Sequence, residues 1–131
     1  MKIKTSELKG VALDWAVALC EGYQPIDHSY LANQWVERKN ARGAMDYQPA
    51  SSLKYSSDWG RGGQIIGRHG ICLISDQEGT GDDWVARMPE GDDFRGRTAL
   101  VAAMRCYVFS RLGDEAEVPD KLVEVAKKEE V

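Results

Sequence analysis

Between Arg97 and Leu112 the chain carries apolar residues around almost the whole circumference of a helix. Ala99, Leu100, Val101, Ala102, Ala103, Met104, Cys106, Tyr107, Val108, Phe109 and Leu112 leave only Arg97, Arg105, Ser110 and Arg111 as interruptions, and Gly113 supplies the C-terminal stop. A helix that is apolar all round has to be buried on most of its sides. The chain has 131 residues, enough for one domain and not comfortably for two. Little material is left to cover such a helix, so a homodimer through residues 97–112 is one expectation.

A second helix is expected near the N-terminus, with Thr5 or Ser6 as its cap, Glu7 in its first turn and Gly22 just past its end. On a helical wheel Leu8, Val11, Ala12, Trp15, Ala16 and Leu19 share one face, while Glu7, Gly10, Asp14 and Glu21 gather opposite. Val118 to Lys128 reads as a short C-terminal helix, with Pro119 near its first position and Leu122, Val125 and Ala126 on one stripe. Between the main helices, Gln64-Ile65-Ile66, Ile71-Cys72-Leu73-Ile74 and Trp84 to Met88 are short apolar runs of strand type, with Gly67-Arg68-His69-Gly70 and Ser75 to Asp83 as turns. Residues 24–57 read as a variable insert, with a surface helix over Ser29 to Ala41 and a loop from Arg42 to Ser57. Gly81-Asp82-Asp83 and Gly91-Asp92-Asp93 read as two acidic turns around one strand. The fold class that follows is α+β: one domain over 1–131, two main helices on a small antiparallel sheet, a short C-terminal helix and an acidic, partly helical tail over 114–131.

Charge excludes several functions. The formal net charge is −4, which argues against a protein held to nucleic acid or membrane headgroups by phosphate neutralisation. No apolar run approaches the roughly 20 residues of a membrane span, and MKIKTSELKG has no apolar segment of the secretory kind behind its lysines. Cys20, Cys72 and Cys106 are odd in number and widely spaced, as suits buried thiols in a reducing cytoplasm. The charge is also uneven: residues 38–71 carry six basic against two acidic side chains, residues 72–96 two against seven, and the tail from Asp114 three against seven. A basic side and an acidic side bear on partners more than on fold.

Chemical motifs are sparse. Asp76 to Asp82 resembles a calcium loop, but the twelfth position, which needs a bidentate acid, is Arg87. No cysteine pair has zinc spacing, so neither a metal nor a cofactor is expected. There is no nucleophile elbow, and His69 in a turn beside Arg68 reads as a solvated histidine. Gly60-Arg61-Gly62-Gly63 reads as a glycine turn or as a loop whose amides cradle an anion; it matches neither a Walker loop nor a dinucleotide fingerprint. Arg105, in the middle of the apolar helix, must snorkel, pair with an acid such as Asp14 or Asp58, or reach an anionic ligand; an ion pair is the simplest of these. Tyr55, Trp59 and Trp84 could stack a flat ligand beside Asp58 and Arg61, or serve as core aromatics. Basic residues 38–68 with Tyr47, Tyr55 and Trp59 have the ingredients of a single-strand platform, against which the net acidity weighs.

Three segments, Met1 to Gly22, Tyr55 to Leu73 and Arg97 to Pro119, resemble a family of small phage and prophage proteins that includes NinX and has no assigned activity. The recurring pattern is L-D-W-A-V, then S-x-D-W-x-x-G-G-x-I-I, then A-M-R-C-Y-V and L-G-D-x-x-x-V-P. Gln64 stands where a proline is common, and Gly67 where an acid is common. The resemblance implies an accessory protein acting in the cytoplasm of a bacterial host, and it places Asp58, Trp59, Gly62, Gly63 and Arg105 inside recurring motifs. The expected function is non-enzymatic binding of a small anionic, nucleotide-like ligand, with Asp58, Trp59, Arg61, Gly62, Gly63, Trp84 and Arg105 as candidate ligand-binding residues, or binding of a host protein. The alternatives are a small nucleotide-acting enzyme using Asp58 or His69, and a weak single-stranded nucleic-acid binder.

Overall fold

The apolar helix, Ala99–Leu112 (α3), starts where Thr98 caps it: the threonine hydroxyl oxygen accepts the Val101 N–H at 3.1 Å. The computed structural model describes residues 1–26, 34–76, 81–89 and 91–128. Nine of the fourteen α3 residues are buried, and elements of the same chain cover them. The helix Gly10–Cys20 (α1) packs along α3, and a three-stranded antiparallel sheet lies on another side. That sheet pairs Cys72–Ser75 (β5) with Trp84–Arg87 (β6) and β6 with Phe94–Gly96 (β7). At Gly96 the sheet meets the helix backbone, since a Cβ there would lie 2.5 Å from the Ala102 nitrogen. Most of the apolar circumference of α3 is thus covered by the same chain, with Leu112 left 42% exposed.

The N-terminal helix begins later than expected and is not two-faced. Residues 5–7 form a single 3₁₀ turn, and α1 begins at Gly10 with no side-chain cap. Thr5 does not cap because its hydroxyl is used elsewhere: it donates to the Gly113 carbonyl at 2.6 Å, while its N–H donates to the Asp114 carbonyl at 2.7 Å. Every residue from Val11 to Ala18 is buried. Asp14, expected on a polar face, is buried too, and its carboxylate accepts the Ser56 N–H at 2.8 Å. The chain ends close over this helix. Lys2–Lys4 (β1) pairs antiparallel with Glu115–Glu117 (β8), setting Lys2 opposite Glu117 and Lys4 opposite Glu115. The helix Asp120–Lys128 (α4) then lays Leu122, Val123 and Ala126 on α1. Val125, expected on that stripe, is 44% exposed; Val123 takes its place because it sits one turn from Ala126 on the α1 side.

The middle of the chain departs most from the sequence reading. Gln64-Ile65-Ile66 is not a strand but the centre of a helix, Trp59–His69 (α2). Asp58 caps it, its carboxylate accepting the Gly60 N–H at 2.8 Å, and Gly70 at φ 64° closes it. Gly62 is what lets α2 approach the core. A Cβ at that position would lie 2.4 Å from the Tyr55 carbonyl oxygen and 2.7 Å from Leu100 Cδ2. The proposed helix over 29–41 is corrected as well: 29–33 lie outside the described residues, and Trp35–Lys39 is a strand (β3). The proposed loop over 42–57 contains its partner strand, Met45–Pro49 (β4), and a 3₁₀ turn at Ala50–Ser52. Asn40 makes this hairpin, its side-chain oxygen accepting the N–H groups of Arg42 and Ala44. Gln24–Pro25 (β2) completes the second sheet. The class is α+β, with three small antiparallel sheets where one was expected. The two acidic turns do flank one strand, β6.

The glycines of α2 provide a paired test. Gly62→Ala should destabilise the protein by about 1–3 kcal/mol through overpacking. Gly67→Ala, where an added Cβ meets nothing within 4 Å, should stabilise it by about 0.5–1 kcal/mol. Urea unfolding of both variants reads the two signs.

Candidate functional site

The glycine segment does not cradle an anion, because Asp58 already occupies it. The Asp58 side chain takes the Gly60 N–H, and its backbone carbonyl takes those of Arg61 and Gly62. Trp59 opens α2 at 57% exposure, with its ring 3.6 Å from where a Gly63 Cβ would stand. Arg61 is exposed and donates to the Leu53 carbonyl. Gly62 is buried against Tyr55 and Leu100. Tyr55 is buried, and Trp84 is half-buried on β6 between Ser75 and Gly96. Residues 58–63 thus sit together at one end of α2, whereas Trp84 and Arg105 belong to the sheet and to α3.

Arg105 occupies different surroundings from those expected. It is 9% exposed and pairs with neither Asp14 nor Asp58. Its Nε donates to the Leu8 carbonyl and its Nη1 to the Arg95 carbonyl, both at 2.7 Å. Backbone carbonyls replace the acid because the chain entering α1 and the end of β7 both pass the guanidinium, while Asp14 and Asp58 are engaged by Ser56 and Gly60. Nη2 makes no hydrogen bond to the described residues. Burial lowers the Arg105 pKa, with Asp82 opposing weakly.

This guanidinium lines a cleft of about 790 Å³. Gly10 and Ala12, from the uncapped start of α1, line it as well, and the first amides of a helix favour negative charge. Among the described lining residues Lys9, Arg97, Arg105 and Lys127 stand against Glu7 and Asp82, four cations to two carboxylates. Its apolar wall comes from Ile3, Val101, Val123 and Ala126. None of residues 58–63 and neither Trp84 nor any other aromatic lines it among the described residues. A smaller cavity of about 360 Å³, lined by Asp14, Lys54 and Ser56 among others, adjoins the same helix start at Gly10.

A second polar assembly had no spacing signal in the sequence. Glu21, just past α1, accepts from Arg68 Nη2 and Tyr107 Oη, each at 2.6 Å. Arg38 Nη1 donates to the Glu21 backbone carbonyl at 2.7 Å and lies 4.2 Å over the Tyr23 ring, whose hydroxyl donates to Asp46. Burial acts to raise the Glu21 pKa, but the hydrogen bonds from Arg68 and Tyr107 outweigh it and hold it below the usual value. Burial, then Glu21, pushes Tyr107 up to about 12. His69 is not in a solvated turn: it ends α2 with its ring 4.9 Å from that of Tyr107, and burial and Arg68 lower its pKa. Neither of the two cavities above is lined by these residues, and the assembly reads as a tie between α1, α2, α3 and the β3–β4 hairpin.

The cysteines divide. Cys106 is buried and Cys20 half-buried, whereas Cys72, expected to be buried, is exposed on β5 because it falls on the strand's outward face. Burial pushes the Cys20 thiol up to about 12 and raises that of Cys106. Residues 77–80 of the calcium-like stretch lie outside the described residues. Among the described residues no cluster of three metal-ligating side chains occurs, and no helix is long and apolar enough to cross a membrane.

A family model described as bacteriophage P22, NinX matches residues 4–111. The chain belongs to this family of phage proteins. No match was found among curated proteins. The matched segment runs from β1 almost to the end of α3 and so includes Arg105 and residues 58–63, while β8 and α4 follow it.

Glu21 has a pH signature. Its depressed pKa means that its contribution to stability is complete above the ordinary glutamate value of 4.5 and is lost as pH falls through the folded-state value. Denaturation from pH 7 to pH 3 should therefore show the stability gap between wild type and Glu21→Gln closing below about pH 4.5. A gap independent of pH would contradict this role.

Proposed function

We propose that this phage protein is a non-enzymatic binding protein whose small anionic ligand sits in the Arg105 cleft, between the start of α1, α3 and α4. The observation that carries the reading is the Arg105 guanidinium: it is nine-tenths buried, lines the cleft and has an Nη2 that meets no described acceptor. Its acceptors are two backbone carbonyls, and an anion entering the cleft would add a charge partner at Nη2. The uncapped start of α1 and the excess of cations among the lining residues act in the same direction. The volume is in the range of small-molecule sites.

A host-protein partner is the second reading, and Trp59 favours it. A tryptophan 57% exposed beside Arg61 has the composition of an interface anchor. In this reading residues 58–63 are contact residues for a protein, and Trp59→Ala abolishes capture of that partner while leaving the fold unchanged.

The cleft is tested by thermal unfolding in inorganic phosphate and in adenosine monophosphate, each compared with chloride at matched ionic strength. A ligand at ten times its Kd should add about 1.4 kcal/mol and raise Tm by about 3–6 °C. Arg105→Lys keeps a charge but loses the planar fork and should lose most of the shift, and Arg97→Ala part of it. Equal shifts in wild type and both variants would remove the ligand from this cleft.

A further inference from the structure

Resting on the cleft reading, we infer that the ligand class is an aliphatic monocarboxylate, a single carboxylate head on a flexible hydrocarbon body, rather than a nucleotide. The head is set by what Arg105 has left to give. Nε and one Nη1 hydrogen are committed to the Leu8 and Arg95 carbonyls, which leaves Nη2 as the guanidinium nitrogen with no acceptor among the described residues. Nη2 carries two N–H donors, which a carboxylate oxygen can accept in a charge-assisted hydrogen bond. A carboxylate meets this donor with a single charge, and Glu7 and Asp82 in the same lining offset part of the excess of cations that a polyphosphate would need.

The body is set by the opposite wall. Ile3 from β1, Val101 from α3 and Val123 and Ala126 from α4 present branched and small aliphatic groups. Among the described residues the lining is aliphatic and holds no aromatic face, which favours a hydrocarbon body over a stacked base. Aliphatic walls reward methylene groups, each worth about a fourfold gain in affinity when fully buried. At about 790 Å³ the cleft also exceeds what a bare inorganic anion fills.

The test is a calorimetric titration of the full chain with acetate, butyrate, hexanoate and octanoate, alongside adenosine monophosphate and inorganic phosphate. The expected result is an affinity that climbs by about twofold to fourfold per methylene up to hexanoate or octanoate, with hexanoate binding more tightly than adenosine monophosphate. Arg105→Lys, with its fold checked by circular dichroism, should weaken hexanoate at least tenfold; Arg97→Ala, at an exposed lining position, gives the same direction if the first variant fails to fold. Acetate and hexanoate binding equally, or adenosine monophosphate binding more tightly than hexanoate, would overturn the ligand class and leave the anion cleft standing. Binding of no anion in the series would overturn both.

Discussion

A guanidinium buried in an apolar helix has few ways to be stable, and the arrangement around Arg105 follows from that constraint. Desolvating the charge is unfavourable by several kcal/mol unless acceptors surround it. The chain supplies two, the carbonyls of Leu8 and Arg95, 97 and 10 residues away in sequence. Hydrogen bonds to a charged group contribute about 1.5–3 kcal/mol each, so the pair fixes the entry to α1 and the end of β7 against the middle of α3. These contacts also fix the cleft. With Nε and Nη1 so held, Arg105 lies among the lining residues of a groove that Val123, Ala126 and Lys127 of α4 also line.

The rest of the core is arranged to let helices approach one another. α1 is buried over most of its length and α3 over nine of its fourteen residues, with α2, α4 and three small sheets around them. Two positions without a side chain make this work, Gly62 under α2 and Gly96 under α3. At the far end of α1, Glu21 gathers Arg68, Tyr107 and, through its backbone, Arg38. Polar ties therefore sit at both ends of α1, and apolar packing fills the length between them.

Legibility in the sequence followed the strength of local signals. α3 could be read because eleven apolar residues in one stretch admit no other burial, and β5 and β6 because short apolar runs were bounded by glycine and polar turns. α2 was hidden by its glycines: Gly60, Gly62, Gly63 and Gly67 have the composition of a loop, yet Gly62 is there for a close approach that only the tertiary structure reveals. Asp58 was the available signal, an N-cap residue before the segment. The β3–β4 hairpin could have been found from Asn40 and Gly43 flanking the turn. Arg105 was singled out correctly as anomalous, but its partners were not, because backbone carbonyls carry no residue signature. The ligand candidates at 58–63 were grouped by composition; folding keeps them at the start of α2, while the cleft is lined by residues from 3–12, 81–82, 97–105 and 123–127.

The most direct test of the account is a ¹H–¹⁵N NMR titration of the full chain with hexanoate and, separately, inorganic phosphate. If the buried guanidinium and the uncapped start of α1 form the anion seat, the largest shifts fall on the amides of Gly10, Val11 and Ala12 and on the Arg105 Nε–H, and saturate together. Shifts confined to Trp59–Gly63, or none at saturating anion, would contradict it.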